Sequence, residues 1–181
     1  MSDPVKIAVL GALLLVAYAA MRAGWRRRSG RAGAALPALP HVPLLGEPRL
    51  GPLEATYLST AVADDRLARV AAHGLAVRAK AEVEVHDAGV LVRRRGAVDL
   101  FLPASAIEAV TRASGMAGTA VGADRVVVLR WRHDGLTLDT GLLPRHAAEI
   151  ARLVDAALAL SDQARPDTAP PADATTDGSH A

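Results

Sequence analysis

With 181 residues and a formal net charge of +2, the chain has room for one small folded domain beside an anchor and two flanking segments. The charge is unevenly placed, arginine-rich in the segment 22–31 and acidic over 161–181, so the overall balance says little about partners. The lack of cysteine excludes disulfides, thiolate metal sites and cysteine nucleophiles, and an aromatic content of 3% removes the stacking platforms that single-strand nucleic-acid binders use.

The first element is apolar. Ile7 to Met21 carries no charge, and with Lys6 and Arg22 snorkelling the usable segment runs from Val5 to Trp25, which matches the roughly 20 residues a helix needs to cross a bilayer. Ile7, Leu10, Leu13, Leu14, Leu15, Val16, Tyr18 and Trp25 are the expected membrane-anchoring side chains. Arg22, Arg26, Arg27, Arg28 and Arg31 form a juxtamembrane basic cluster with no acid before Glu47, which predicts an N-terminus outside and the remainder in the cytoplasm. Ala17-Tyr18-Ala19 has the form of a signal-peptide cleavage site, but Lys6 is opposed by Asp3 and the arginines lie on the wrong side for export. A buried core helix fits no better, since the stretch is not amphipathic. Residues 1–25 are thus expected as a transmembrane anchor, leaning on the lipid bilayer.

Residues 26–52 read as a basic, Pro-rich linker. Pro37, Pro40, Pro43, Pro48 and Pro52, with Gly30, Gly33, Gly46 and Gly51, predict an extended, semi-rigid spacer. Leu36-Pro37-Ala38-Leu39-Pro40 has the shape of a polyproline ligand, yet this composition belongs more commonly to spacers.

The folded domain is expected over 53–160. Leu53–Thr60 reads as a first strand, and Asp64 or Asp65 as the cap of a short helix from Arg66 to Ala72 that stops at Gly74. Val77–His86 alternates, with Val77, Ala79, Ala81, Val83 and Val85 on one face, as in a half-buried antiparallel strand. Turns at Asp87-Ala88-Gly89 and Gly96 separate strands at Val90–Arg95 and Ala97–Leu102, which Pro103 stops. Ala104–Arg112 stays open between a helical turn and a strand, and Ser114-Gly115-Met116-Ala117-Gly118 is expected as a mobile loop with an exposed methionine. Arg125–Arg132 is strongly β-prone, and Asp134-Gly135 makes a hairpin into Leu136–Thr140. Beyond Pro144 the period changes: Ala147, Ile150, Leu153, Val154, Ala157 and Leu158 recur at helical spacing, a helix of about four turns that needs a sheet to cover. Residues 161–181 hold hardly a large apolar side chain and are expected as a disordered acidic tail.

About seven short antiparallel strands closed by one C-terminal amphipathic helix resemble the pleckstrin-homology-like (PH-like) barrel or sandwich, a mainly β fold with α. More narrowly, His73-Gly74-Leu75-Ala76-Val77-Arg78, Val83-Glu84-Val85-His86 with Gly89-Val90, Ser114–Gly118, and Asp139-Thr140-Gly141 with Pro144-Arg145-His146 resemble actinobacterial membrane-anchored proteins with a bacterial PH-like domain. The resemblance spans about Leu53 to Leu160. It implies a single-pass protein of the bacterial inner membrane with a cytoplasmic, non-catalytic PH-like domain.

The remaining residues support that reading. Arg93-Arg94-Arg95 is the one basic run in the domain and a candidate contact for anionic lipid, although alternation sends Arg94 to the opposite face from its neighbours and a solvated strand edge is the preferred reading. Where phosphoinositide-binding PH domains place spaced cations, this chain has Ala61-Val62-Ala63-Asp64-Asp65. Gly115-Met116-Ala117-Gly118 lacks the Lys-Ser or Lys-Thr of a phosphate loop, and Ser114 to Gly118 is instead the candidate interaction loop. His73, His86, His133 and His146 have no metal-ligand spacing, and no serine sits in a nucleophile elbow. The expected function is a membrane-anchored module that docks an unknown membrane or cytoplasmic protein, without catalysis, cofactor, metal or nucleic acid. The alternative is a peripheral binder of anionic lipid.

Overall fold

The computed structural model describes residues 36–164 apart from Asp64, together with Tyr18. The other expected anchor residues, the arginine cluster and 165–181 lie outside the described residues. Among the described residues no helix is long and apolar enough to cross a membrane.

The domain is mainly β with one C-terminal helix. Its strands are β1 (Leu50–Val62), β2 (Asp65–Arg69), β3 (Ala79–His86), β4 (Gly89–Arg94), β5 (Leu100–Pro103), β6 (Ile107–Ala113), β7 (Gly115–Met116), β8 (Thr119–Ala120), β9 (Val126–His133) and β10 (Leu136–Pro144), followed by α1 (Ala147–Ala164). Strand β1 organises the rest because it serves two neighbours in turn: Leu50–Tyr57 pairs with β3 and Ala55–Val62 with β10, with a register shift between Tyr57 and Ser59. The antiparallel sheet runs β5-β4-β3-β1-β10-β9-β6. Its two end strands, β5 and β6, are joined by a short 3-10 turn at Ala104–Ala106, so the sheet curls round a single core.

Alternation fills that core. Ala81, Val83 and Val85 of β3 point inward, as do Val127, Leu129 and Trp131 of β9 and Leu138 and Leu142 of β10. From α1, Ile150, Leu153, Ala157 and Leu160 close over the sheet, with Val154 packed at its margin; of the stripe expected from the sequence Ala147 and Leu158 are instead exposed, and Leu160, outside that stripe, is buried. A chain of hydroxyls threads between them. Trp131 Nε1 donates to Thr140 Oγ1 at 3.0 Å, Thr140 meets Thr60 Oγ1 at 2.8 Å, Thr60 meets the Tyr57 hydroxyl at 2.8 Å, and Tyr57 donates to the Leu75 carbonyl at 2.7 Å. With donors fixed at both ends, each hydroxyl accepts one bond and donates one, so every group is satisfied.

Burial pushes the Tyr57 phenol up to about 12, against the opposing pull of the Thr60 hydrogen bond and the Arg94 charge. The folded state therefore holds this proton more tightly than the unfolded chain, whose tyrosines titrate near 10.0. That contribution is fully present below the unfolded value and is lost as pH rises through the folded one. Urea unfolding of wild type and Tyr57→Phe across this alkaline window checks it: the wild-type advantage should shrink steadily above about pH 10.

Several elements differ from their sequence-based expectation. The region expected as a helix from Arg66 to Ala72 is instead strand β2, followed by a 3-10 turn at Ala72–Gly74. Strand β3 ends opposite Tyr57, leaving the rest of β1 unpaired on that side. Strand β2 takes the place through Ala61↔Arg69 and Val62↔Asp65, while Thr60 N donates to Leu75 O and Val70 N to Thr60 O. Unmet backbone groups at a sheet edge outweigh the weak propensity of a two-turn helix. Val77, expected on a buried face, is 62% exposed because β3 begins only at Ala79. The stretch 104–112 resolves into the 3-10 turn and β6, and α1 continues to Ala164, so 161–164 is helix rather than tail.

Residues 36–49 of the expected spacer form a strap, and the spacer's last three, Leu50 to Pro52, are already strand β1. Leu36 is 5% exposed and belongs to the core, and Leu39 packs against it. His73 Nε2 donates to the carbonyls of Leu36 and Pro37, each at 3.0 Å, and His133 Nε2 to that of Ala38 at 3.1 Å. Further along, His86 Nδ1 bonds the Gly46 carbonyl at 3.0 Å and Arg49 N reaches Val85 O at 2.7 Å. Prolines keep these carbonyls free of internal partners, so they are available to the histidines. Leu36→Ala should accordingly lower the unfolding free energy by about 2 kcal/mol, read from the denaturant midpoint.

Candidate functional site

The loop Ser114–Gly118 is ordered into a small hairpin. Strands β7 and β8 pair as Gly115↔Ala120 and Met116↔Thr119, and the turn residues Ala117 and Gly118 both have positive φ, 50° and 79°. Its base is tied down: Val121 N and Gly122 N donate to Ser114 O at 2.9 and 3.1 Å, Ser114 Oγ to Asp124 at 3.3 Å, and Arg112 Nε to Asp124 O at 3.0 Å. Its tip is held by Arg69, whose Nη2 donates to Ala117 O at 2.5 Å.

The hairpin lies over the outer face of β10. A Cβ on Gly141 would come within 2.3 Å of Met116 Sδ, so the methionine is half-buried where a side chain is missing and not exposed as expected. Gly141→Ala should expel Met116 at a cost of about 1–2 kcal/mol, and pairing it with Met116→Ala should recover most of that loss in a double-mutant cycle. Peroxide oxidation of Met116 should also speed up in the single variant.

Between hairpin and sheet lies a cavity of about 610 Å3, lined by Ala61, Ala109, Thr111, Val128, Arg130 and Asp139 on the sheet side and by residues 112–120 on the other. Arg130 and Asp139 face each other across β9 and β10, and Arg130 Nε and Nη2 donate to the two carboxylate oxygens at 2.8 and 2.9 Å. Asp139 is 4% exposed, a buried carboxylate held by a forked, charge-assisted contact. Small side chains make the walls, and one bound ion pair marks the floor. Such a site can receive a side chain.

The basic run divides as parity predicts. Arg93 donates from Nε and Nη2 to the two oxygens of Glu84, each at 3.2 Å, which holds the Glu84 carboxyl below the usual range, and Arg95 contacts Glu82 at 3.4 Å. Arg94 is buried at 3% exposure, with its guanidinium carbon 4.9 Å from the Tyr57 ring centre. As a candidate lipid contact Arg94 is therefore corrected to an interior residue. Arg93 and Arg95 remain on the outer face, each beside an acid. Three of the histidines bond carbonyls of the strap, and among the described residues no group of His, Asp and Glu is placed to hold a metal ion.

A family described as bacterial PH domain-like matches residues 34–158. The chain belongs to that family. The match starts two residues before Leu36, so the strap that completes the core falls inside the PH-like domain together with β1 to β10 and most of α1. No curated protein matches the chain. A PH-like domain is a protein- or lipid-interaction module, which agrees with a cavity that can bind.

Sequence reasoning singled out the hairpin but missed the cavity, the Arg130–Asp139 pair and Gly141. A signal for the pair existed, because counting outward from the Asp134-Gly135 turn puts Arg130 opposite Asp139. Nothing local indicated that residues 114–120 fold back over that pair.

Proposed function

We propose that this chain is a membrane-tethered PH-like module that docks a protein partner through the β7–β8 hairpin and the cavity beneath it, without catalysis. The observation that carries the reading is the cavity itself: a bound hairpin roofs small-walled space over a satisfied ion pair. The tether is the apolar stretch from Ile7 to Met21, a single span with the arginine cluster and the domain on the cytoplasmic side of a bacterial inner membrane. Tethering concentrates the domain near other membrane proteins, so a modest interface suffices. The anionic-lipid alternative loses support, because Arg94 faces the core and Arg93 and Arg95 are both engaged by acids.

Two measurements test the reading. Alkaline phosphatase or a fluorescent protein fused after Ala164 reports the side of the membrane; fluorescence without phosphatase activity is expected, and the reverse overturns the topology. A photo-cross-linking residue at Ala120, beside the cavity, should capture a discrete partner in cells, whereas the same residue at the exposed Arg152 should not. Filling the cavity by Thr111→Trp should abolish that capture. Capture that survives the filled cavity rules out docking there.

A further inference from the structure

A second concavity, of about 320 Å3, opens where β1, β3 and the end of β10 meet the segments leading into β9 and α1. Four cations line it: Lys80, Arg95, Arg125 and Arg145. Glu82 engages Arg95 at 3.4 Å and Glu54 engages Arg145 at 2.6 Å. Lys80 and Arg125 form no ion pair with a described residue, and both are exposed. Four cations against two carboxylates leave two positive charges in one groove uncompensated by the described residues.

That balance has a natural counterpart. A phosphate monoester carries close to two negative charges at neutral pH and presents three acceptor oxygens, suited to guanidinium forks and an ammonium converging from different strands. Thr56, the partner of Lys80 across β1 and β3, is a small side chain on the groove floor, so an anion can approach the strands closely. No aromatic side chain lines the groove, which leaves a nucleobase nothing to stack on. The exposed large apolar residues Leu44, Val77, Val98 and Leu158 all lie outside it, and Leu143, the one large apolar residue in its lining, is half-buried, so the groove offers little to insert into a bilayer.

We propose that this groove binds a phosphate monoester borne on a side chain of a protein partner. The site shares no lining residue with the cavity under the β7–β8 hairpin, and it adds a charge-selective contact to the docking reading. Phosphorylation of the partner would then strengthen docking without altering the hairpin contact.

The test uses the full chain in zwitterionic detergent, titrated with O-phosphoserine, inorganic phosphate and serine and followed through the arginine side-chain NMR signals. Saturable binding of the two phosphates, and none of serine, is expected in the millimolar range. Lys80→Ala and Arg125→Ala should each weaken it about tenfold, and the double charge reversal Lys80→Glu with Arg125→Glu should abolish it. The melting temperature should hold in all variants, since neither side chain has a partner to lose among the described residues. Absence of saturable phosphate binding, or binding indifferent to these substitutions, overturns the proposal. A parallel titration with a short-chain phosphatidic acid separates the sources: response to that lipid alone, without O-phosphoserine, also overturns it and assigns the groove to lipid. The hairpin cross-link is read independently, so failure of one site does not imply failure of the other.

Discussion

Leu153→Asp is expected to unfold the domain at ordinary temperature. Leu153 is fully buried at the centre of the α1 stripe, where Ile150, Ala157 and Leu160 join the core. Removing the leucine forfeits about 2–5 kcal/mol of burial and packing, and an unpaired carboxylate in its place adds several more. The total reaches about 5 kcal/mol or above, comparable with the whole stability of a small domain. Leu158→Asp is the matched control, on the same helix but 38% exposed, and should cost about 1 kcal/mol or less. Circular-dichroism melts of the two variants decide the matter. Similar melting temperatures would mean that α1 does not cover the sheet.

The second large effect is expected at Arg94. Its guanidinium donates to the Val98 carbonyl from Nε and Nη2 at 2.9 and 2.6 Å, to Gly74 O from Nη1 at 3.0 Å and to His73 O from Nη2 at 3.1 Å. No carboxylate pairs with it among the described residues. The charge is compensated by carbonyl dipoles and by the face of Tyr57, which joins the 71–78 segment to the β4–β5 turn. Arg94→Ala removes the donor to three carbonyls and leaves a cavity, at a cost of about 3–5 kcal/mol. Lysine cannot reproduce the fork, so Arg94→Lys should still cost about 2 kcal/mol. Arg93→Ala and Arg95→Ala, at exposed pairs, should each cost under about 1 kcal/mol. Urea midpoints rank the four variants. A variant with all three arginines removed would lose any lipid binding by unfolding, so a fair test of the outer face changes Arg93 and Arg95 alone.

These two positions mark opposite limits of what could be read in advance. Leu153 was legible because helical periodicity writes the buried face into the chain, and burial of that face does not depend on which sheet covers it. The strands β3, β4, β9 and β10 were legible for the same reason, and the Asp134-Gly135 turn set the register of the last two. Parity along β4 correctly separated Arg94 from Arg93 and Arg95, but it could not name what Arg94 would meet. Its partners lie at His73, Gly74 and Val98, on segments with no period of their own.

By itself, then, the sequence determined the apolar N-terminal stretch, the mainly β character, the covering helix and the absence of thiol chemistry. Only the tertiary structure decided that 36–49 is a strap, that Asp65–Arg69 is a strand, that Ser114–Gly118 roofs a cavity, and that four separated cations share a groove. The division has one physical cause. Period and turn chemistry are local and record which side of an element leaves water, whereas a strap, an edge strand or a pocket exists only through contacts between residues distant in the chain. Those contacts are chosen by leftover needs of the folded sheet: an unpaired backbone edge beyond Tyr57, free carbonyls between prolines, and a bare glycine at Gly141 where a methionine can lie.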